Sequence, residues 1–184
     1  PAASVGAMLN AGACKALFGV SAASLSESHT ALETLWGRGA IRLTEQLMAE
    51  PCPASRLVLF ENALAAKLPN PRALHPAVAH ALAHWHSYES VHDLVSSTGY
   101  SHRRFNALFR DAVGLNPKRY GRVLRFSALL DNLASCGRPL ADMATDAGYS
   151  DQSHFQRDFR EFAGMTPGEY RASAPQRPRH VPLG

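Results

Sequence analysis

Gly99–Tyr120 reads GYSHRRFNALFRDAVGLNPKRY and Gly148–Tyr170 reads GYSDQSHFQRDFREFAGMTPGEY, two copies of one pattern with a single extra residue after the serine of the second. Gly99 pairs with Gly148, Tyr100 with Tyr149, Phe105 with Phe155, Phe109 with Phe159, Gly114 with Gly164, Pro117 with Pro167 and Tyr120 with Tyr170. An internal repeat constrains architecture more firmly than local propensity does, so these pairs decide the fold. The likeness extends upstream: SVHDLVSST and PLADMATDA both place apolar residues (Val91, Leu94, Val95; Leu140, Met143, Ala144) at the spacing of a short buried helix.

Each copy therefore reads as a short helix, a turn at Gly99 or Gly148 where positive φ is tolerated, and a second helix capped by Ser101 or Asp151. That is the plan of a helix-turn-helix. In the second helices the core face falls at Phe105, Phe109 and Ala112, and at Phe155, Phe159 and Phe162 or Ala163. Asn116-Pro117 and Thr166-Pro167 each join a capping residue to a proline at the first helical position, and Tyr120 and Tyr170 read as packing residues that close each unit. The helix from Pro117 carries apolar residues through Leu133 to a stop at Gly137-Arg138-Pro139, a length suited to a rigid connector. The fold class expected is all-α: two helix-turn-helix subdomains joined by a long helix, over residues 71–172, preceded by a small helical segment over 1–70 and followed by a flexible tail, 173–184.

That leading segment has Leu32, Leu35, Trp36, Leu43 and Leu47 at helical spacing, a break at Pro51-Cys52-Pro53, a second apolar helix from about Arg56 to Leu68, and Pro69-Asn70-Pro71 as linker. It reads as a segment that packs against protein upstream. The chain opens on Pro1 with neither a basic stretch nor a long apolar one, and reads as a fragment.

Composition bounds the function. With 46% apolar and 18% charged residues the chain is an ordinary folded protein, and no apolar run reaches the roughly 18 residues of a membrane span. Cys14, Cys52 and Cys136 are widely spaced, with no C-x-x-C pairing, which argues for a reducing cytoplasmic setting over a zinc or disulfide scaffold. A net charge of +4 is too small to imply nucleic acid, but seven cations (Arg103, Arg104, Arg110, Lys118, Arg119, Arg122, Arg125) stand against one acid, Asp111, between Ser101 and Arg125. Such a local excess on a helix with an apolar opposite face points to phosphate. His75, His80, His84 and His86 crowd one predicted helix, and His80 with His84 has the i, i+4 spacing of a metal pair, but HALAH lacks the glutamate of H-E-x-x-H. Neither a metal, nor a cofactor, nor a catalytic residue is expected.

The G-Y-S, aromatic, aromatic, Gly, Pro, Tyr spacing, repeated after a connecting helix, resembles the DNA-binding module of the AraC/XylS family of transcription regulators over about Pro76 to Ala172, most specifically in AGYSDQSHFQRDFREFAGMTPGEYR. AGACKALFGV and LETLWGRG are similar, more weakly, to the helical end of the family's ligand-sensing region. The resemblance implies that the exposed faces of the two second helices enter successive major-groove segments of double-stranded DNA. The base readers it assigns are Arg103, Asn106 and Ala107 in the first unit and Gln152, Ser153, Gln156 and Arg157 in the second. Periodicity agrees: Arg103, Asn106, Ala107 and Arg110 lie opposite Phe105 and Phe109, and Ser153, Gln156, Arg157 and Arg160 repeat the pattern. Arginine can grip guanine, and asparagine or glutamine adenine. Ser101, Arg104, Arg110, Lys118, Arg119, Arg122 and Arg160 are the expected phosphate contacts. Ala107 departs from the arginine that many members carry there. RNA polymerase, and a small-molecule effector acting through an upstream domain, are the further partners implied. Repair proteins that accept DNA methyl groups on a cysteine can carry the same module and form the alternative reading.

Overall fold

A computed structural model of the chain describes residues 4–26, 29–68, 74–133 and 138–173. The linker expected at Pro69-Asn70-Pro71 and the tail from Ala174 lie outside these. Among the described residues every regular element is helical, and no helix is long and apolar enough to cross a membrane. The chain divides into two compact units, one ending at Pro117 and the other beginning at Lys118.

In the first unit, α1 (Ala13–Phe18) and α2 (Ala22–Leu25) are followed by α3 (Leu32–Trp36), α4 (Arg38–Ala49) and α5 (Pro53–Ala65). The expected run from Leu32 to Leu47 is two helices, broken at Gly37. The helix expected from Arg56 starts instead at Pro53, because a proline at the first helical position forfeits no hydrogen bond. Next come α6 (Pro76–Ala83), a 3-10 turn (Trp85–Ser87), α7 (Val91–Ser97) and α8 (His102–Val113). The four histidines do not share one helix: His75 caps α6, its Nδ1 accepting from the Ala77 amide, His84 ends it, and His86 lies in the 3-10 turn.

Phe105, Phe109 and Ala112 of α8 are buried with Leu94 and Val95 of α7 and Ala77, Val78 and Ala81 of α6. Two helices from the start of the chain complete this seat. Leu17 and Ala22 are buried, Lys15 of α1 ion-pairs with Asp111 of α8, and Ser21 Oγ donates to the Asp111 carbonyl at 3.3 Å. Within the described residues α1 and α2 pack against α8. Gly114, which ends α8 at φ +87°, admits this approach: a Cβ there would lie 3.1 Å from the Ala22 carbonyl oxygen.

The second unit contains α9 (Pro117–Leu133) beyond its first residue, α10 (Leu140–Asp146), α11 (Gln152–Ala163) and α12 (Pro167–Ser173). Phe126, Leu129, Leu130 and Leu133 of α9 join Met143 and Ala144 of α10, Phe155, Phe159 and Ala163 of α11, and Tyr170 of α12 in one core. Phe159 is fully buried at its centre, with ring centroids 5.1 Å from Phe126, 5.8 Å from Phe155 and 5.6 Å from Tyr170. Ahead of α12, the Thr166 hydroxyl accepts from the Glu169 amide while the Glu169 carboxylate accepts from the Thr166 amide, a reciprocal capping box.

Candidate nucleic-acid interface

Both second helices begin on the caps read from the sequence: Ser101 Oγ accepts from the Arg104 amide, and Asp151 from the His154 amide. The latter bond, with one from Ser150, holds the Asp151 carboxyl below its ordinary range. The turns preceding them carry Gly99 and Gly148 at φ +73° and +77°. With one face of each helix fixed by buried phenylalanines, the 3.6-residue period determines what the other presents.

On α8 the exposed arc is Arg103, Arg104, Asn106, Ala107 and Arg110, and on α11 it is Gln152, Ser153, Gln156, Arg157, Arg160 and Glu161. All seven expected base readers are therefore exposed. Beside the α11 arc lies an open groove of about 470 Å³, lined by Ser153, Gln156, Arg157, Arg160, Glu161 and Thr166. Amide, hydroxyl and guanidinium groups at one helix surface match the donor and acceptor pattern of base edges and phosphate oxygens.

The expected phosphate contacts fare unequally. Ser101, Arg104, Arg110, Lys118, Arg119 and Arg160 are exposed. Arg122 is engaged within the protein: its Nε and Nη2 donate to the two carboxylate oxygens of Asp158 at 3.1 and 2.8 Å, and Nη2 also reaches Glu161. These hydrogen bonds hold its guanidinium even more firmly protonated than usual. Arg125, counted in the basic stretch, lies over the Tyr149 ring at 5.6 Å. The basic run thus turns five cations outward, not seven, and its acid, Asp111, is matched by Lys15.

Asp158, 2% exposed, is the residue the sequence reading missed. The repeat contains the signal for it: aligning Phe105 with Phe155 sets Asp158 against Leu108, an acid at a position where the first copy is apolar. The copies differ also at their turns, since Tyr149 is buried whereas Tyr100 is exposed, its hydroxyl 3.4 Å from His75 Nε2. Among the described residues no three histidine, cysteine or acidic side chains converge to hold a metal.

Comparison with known proteins points to the same kind of domain. The family model described as a helix-turn-helix domain matches residues 94–173. A probable transcriptional regulator, LumQ, of Photobacterium leiognathi is 33% identical over 81 residues, which cover 44% of this chain and 33% of that protein. A putative AraC-like transcription regulator of Streptomyces antibioticus is 32% identical over 100 residues, 52% of this chain and 33% of the relative. A putative regulator of the helix-turn-helix type, YkgA, of Escherichia coli K12 is 31% identical over 84 residues, 45% and 34% respectively. The matched part thus spans about a third of each relative's length. No solved structure matches the chain.

Proposed function

We propose that the protein is a sequence-specific, AraC-type DNA-binding regulator of transcription that sets α8 and α11 into successive major-groove segments of one site, a reading supported by the match of residues 94–173 to a helix-turn-helix domain and by the likeness to a putative AraC-like regulator. The observation that carries this reading is the exposure of all seven candidate readers on two capped helices whose opposite faces are buried. Arg103, Asn106 and Ala107 read one end of the site, and Gln152, Ser153, Gln156 and Arg157 the other. Ser101, Arg104, Arg110, Lys118, Arg119 and Arg160 meet the phosphates. Because the two readers are unlike and belong to one chain, the site is asymmetric.

The protein acts by binding, without catalysis, in the cytoplasm. The alternative of a methyl-accepting repair protein would need an activated thiol and, in related repair proteins, a four-cysteine zinc site; this chain has three cysteines, of which Cys14 has its thiol pushed up by burial and exposed Cys52 has its thiol pushed down by hydrogen bonds with Ser55. Residues 1–70 belong to the helical end of a sensory region through which a small-molecule effector acts, and RNA polymerase is a further partner. The exposed apolar side chains Ile41, Met48, Leu57 and Val58 of α4 and α5 support further protein covering that segment.

Selection of binding sites from random-sequence DNA with the full chain tests the reading. Enrichment of one asymmetric site with two conserved blocks is the expected result; recovery of unenriched sequence refutes it.

A further inference from the structure

Arg122, Asp158 and Glu161 form a charged clamp around a buried acid; α8 has an ion pair as well, Lys15 to Asp111, but between side chains 41% and 40% exposed and without an arginine fork. Asp158 lies on the core side of α11, between Phe155 and Phe159, with its side chain 3% exposed, and Arg122 of α9 grips both of its carboxylate oxygens. The same guanidinium reaches Glu161 and lies 5.1 Å over the Phe162 ring, so one fork touches three positions, 158, 161 and 162, on adjacent turns of α11. At the equivalent place α8 has Leu108, half-buried.

The two kinds of seat constrain a helix differently. Apolar burial has no directional preference and tolerates small rotations of the helix about its axis. A bidentate arginine–carboxylate pair fixes both angle and height, because its two parallel hydrogen bonds need one geometry. Side chains on α11 extend about 6 Å from the helix axis, so a rotation of about 20° would carry a reading group sideways by about 2 Å. That exceeds the half-ångström window within which a hydrogen bond keeps its strength. The clamp also accounts for a buried acid on a helix that must face polyanionic DNA: Asp158 is turned to the core and matched there.

We propose that Arg122 is a positioning residue for base reading by the second helix, acting through Asp158 and Glu161, and that unit 2 consequently discriminates bases more stringently than unit 1. The proposal rests on the reading of α11 as a recognition helix. It predicts that Arg122 affects which bases are preferred, whereas a phosphate contact affects every sequence alike.

The experiment is a competition assay with the full chain on DNA randomised around the selected site, at several salt concentrations, for wild type, Arg122→Lys and the double variant Arg122→Met/Asp158→Leu. The double variant recreates the apolar seat of Leu108, and a buried ion pair replaced on both sides by apolar groups commonly leaves a protein folded. Both variants should lose about tenfold to a hundredfold of discrimination at the base positions read by Gln156 and Arg157. Preferences at the end read by Arg103 and Asn106, and the salt slope, should be unchanged. If the double variant fails to fold by circular dichroism, Arg122→Lys decides, since it keeps the cation but not the fork. Unchanged preferences in the folded variants overturn the proposal. So does a uniform loss of affinity with a salt slope shallower by about one unit in the double variant, which marks a phosphate contact. A wild type that selects no site removes the underlying reading and this proposal with it, a result distinct from either.

Discussion

Gly114 and Gly164 end equivalent helices at φ +87° and +71°, yet their surroundings differ, and the difference gives a quantitative test of how the first unit is built. A Cβ at Gly164 meets nothing within 4 Å, so Gly164→Ala incurs only the left-handed backbone, about 1–2 kcal/mol. The stiffer unfolded chain offsets about 0.4–1 kcal/mol of that, leaving a net loss of about 1 kcal/mol. At Gly114 the same atom lies 3.1 Å from the Ala22 carbonyl oxygen and 3.4 Å from its carbon, backbone atoms that cannot swing aside. Overpacking of this kind adds about 1–3 kcal/mol, so Gly114→Ala should lose about 2–4 kcal/mol. Both tryptophans, Trp36 and Trp85, lie in the first unit, so denaturant unfolding followed by their fluorescence reports Gly114→Ala, and circular dichroism follows Gly164→Ala. Faster proteolysis of the segment from Ser21 to Leu25 should accompany the Gly114 loss. Equal costs at the two glycines would mean that α2 does not sit against the end of α8.

Phe159→Ala, which removes a fully buried ring touching three others, should destabilise the second unit by about 3–5 kcal/mol in the same unfolding assay; an unchanged transition would place Phe159 outside the core. Lys118→Ala should weaken binding to all DNA sequences about equally and make the salt slope shallower by about one unit, whereas Arg103→Ala should relax preference at one end of the site, both read by competition binding. Asp151 stabilises α11 in its ionised form: its native pKa is held below the ordinary 3.8, so its contribution is present above that value and is lost as pH falls through the lower native one. Asp151→Asn should keep the cap and remove that part of the acid sensitivity of unit 2, and an unaltered acid profile would contradict the assignment.

The repeat made the helix-turn-helix plan, the caps at Ser101 and Asp151, the phenylalanine faces and the exposed polar arcs legible, because each is set within a few residues of chain by helix period, turn chemistry and capping. Contacts made across long stretches of sequence were not. Asp111 finds Lys15 at a separation of 96 residues and Asp158 finds Arg122 at 36, and neither partnership leaves a periodicity. A basic run accordingly looked uniform, although Arg122 and Arg125 turn inward to an acid and a ring while Arg103 and Arg104 face out. The seating of α1 and α2 on α8 was equally silent, since an alanine-rich helix with few charges fits many partners.

The central claim, that α8 and α11 read one DNA site together, is tested most directly by guanine-N7 methylation interference on the selected site. The methyl group sits in the major groove, where arginine would bind. The account predicts two clusters of interfering guanines about one helical turn apart on one side of the duplex, with the cluster at one end disappearing in Arg103→Ala and that at the other in Arg157→Ala. A single cluster, or interference that neither substitution alters, would contradict it.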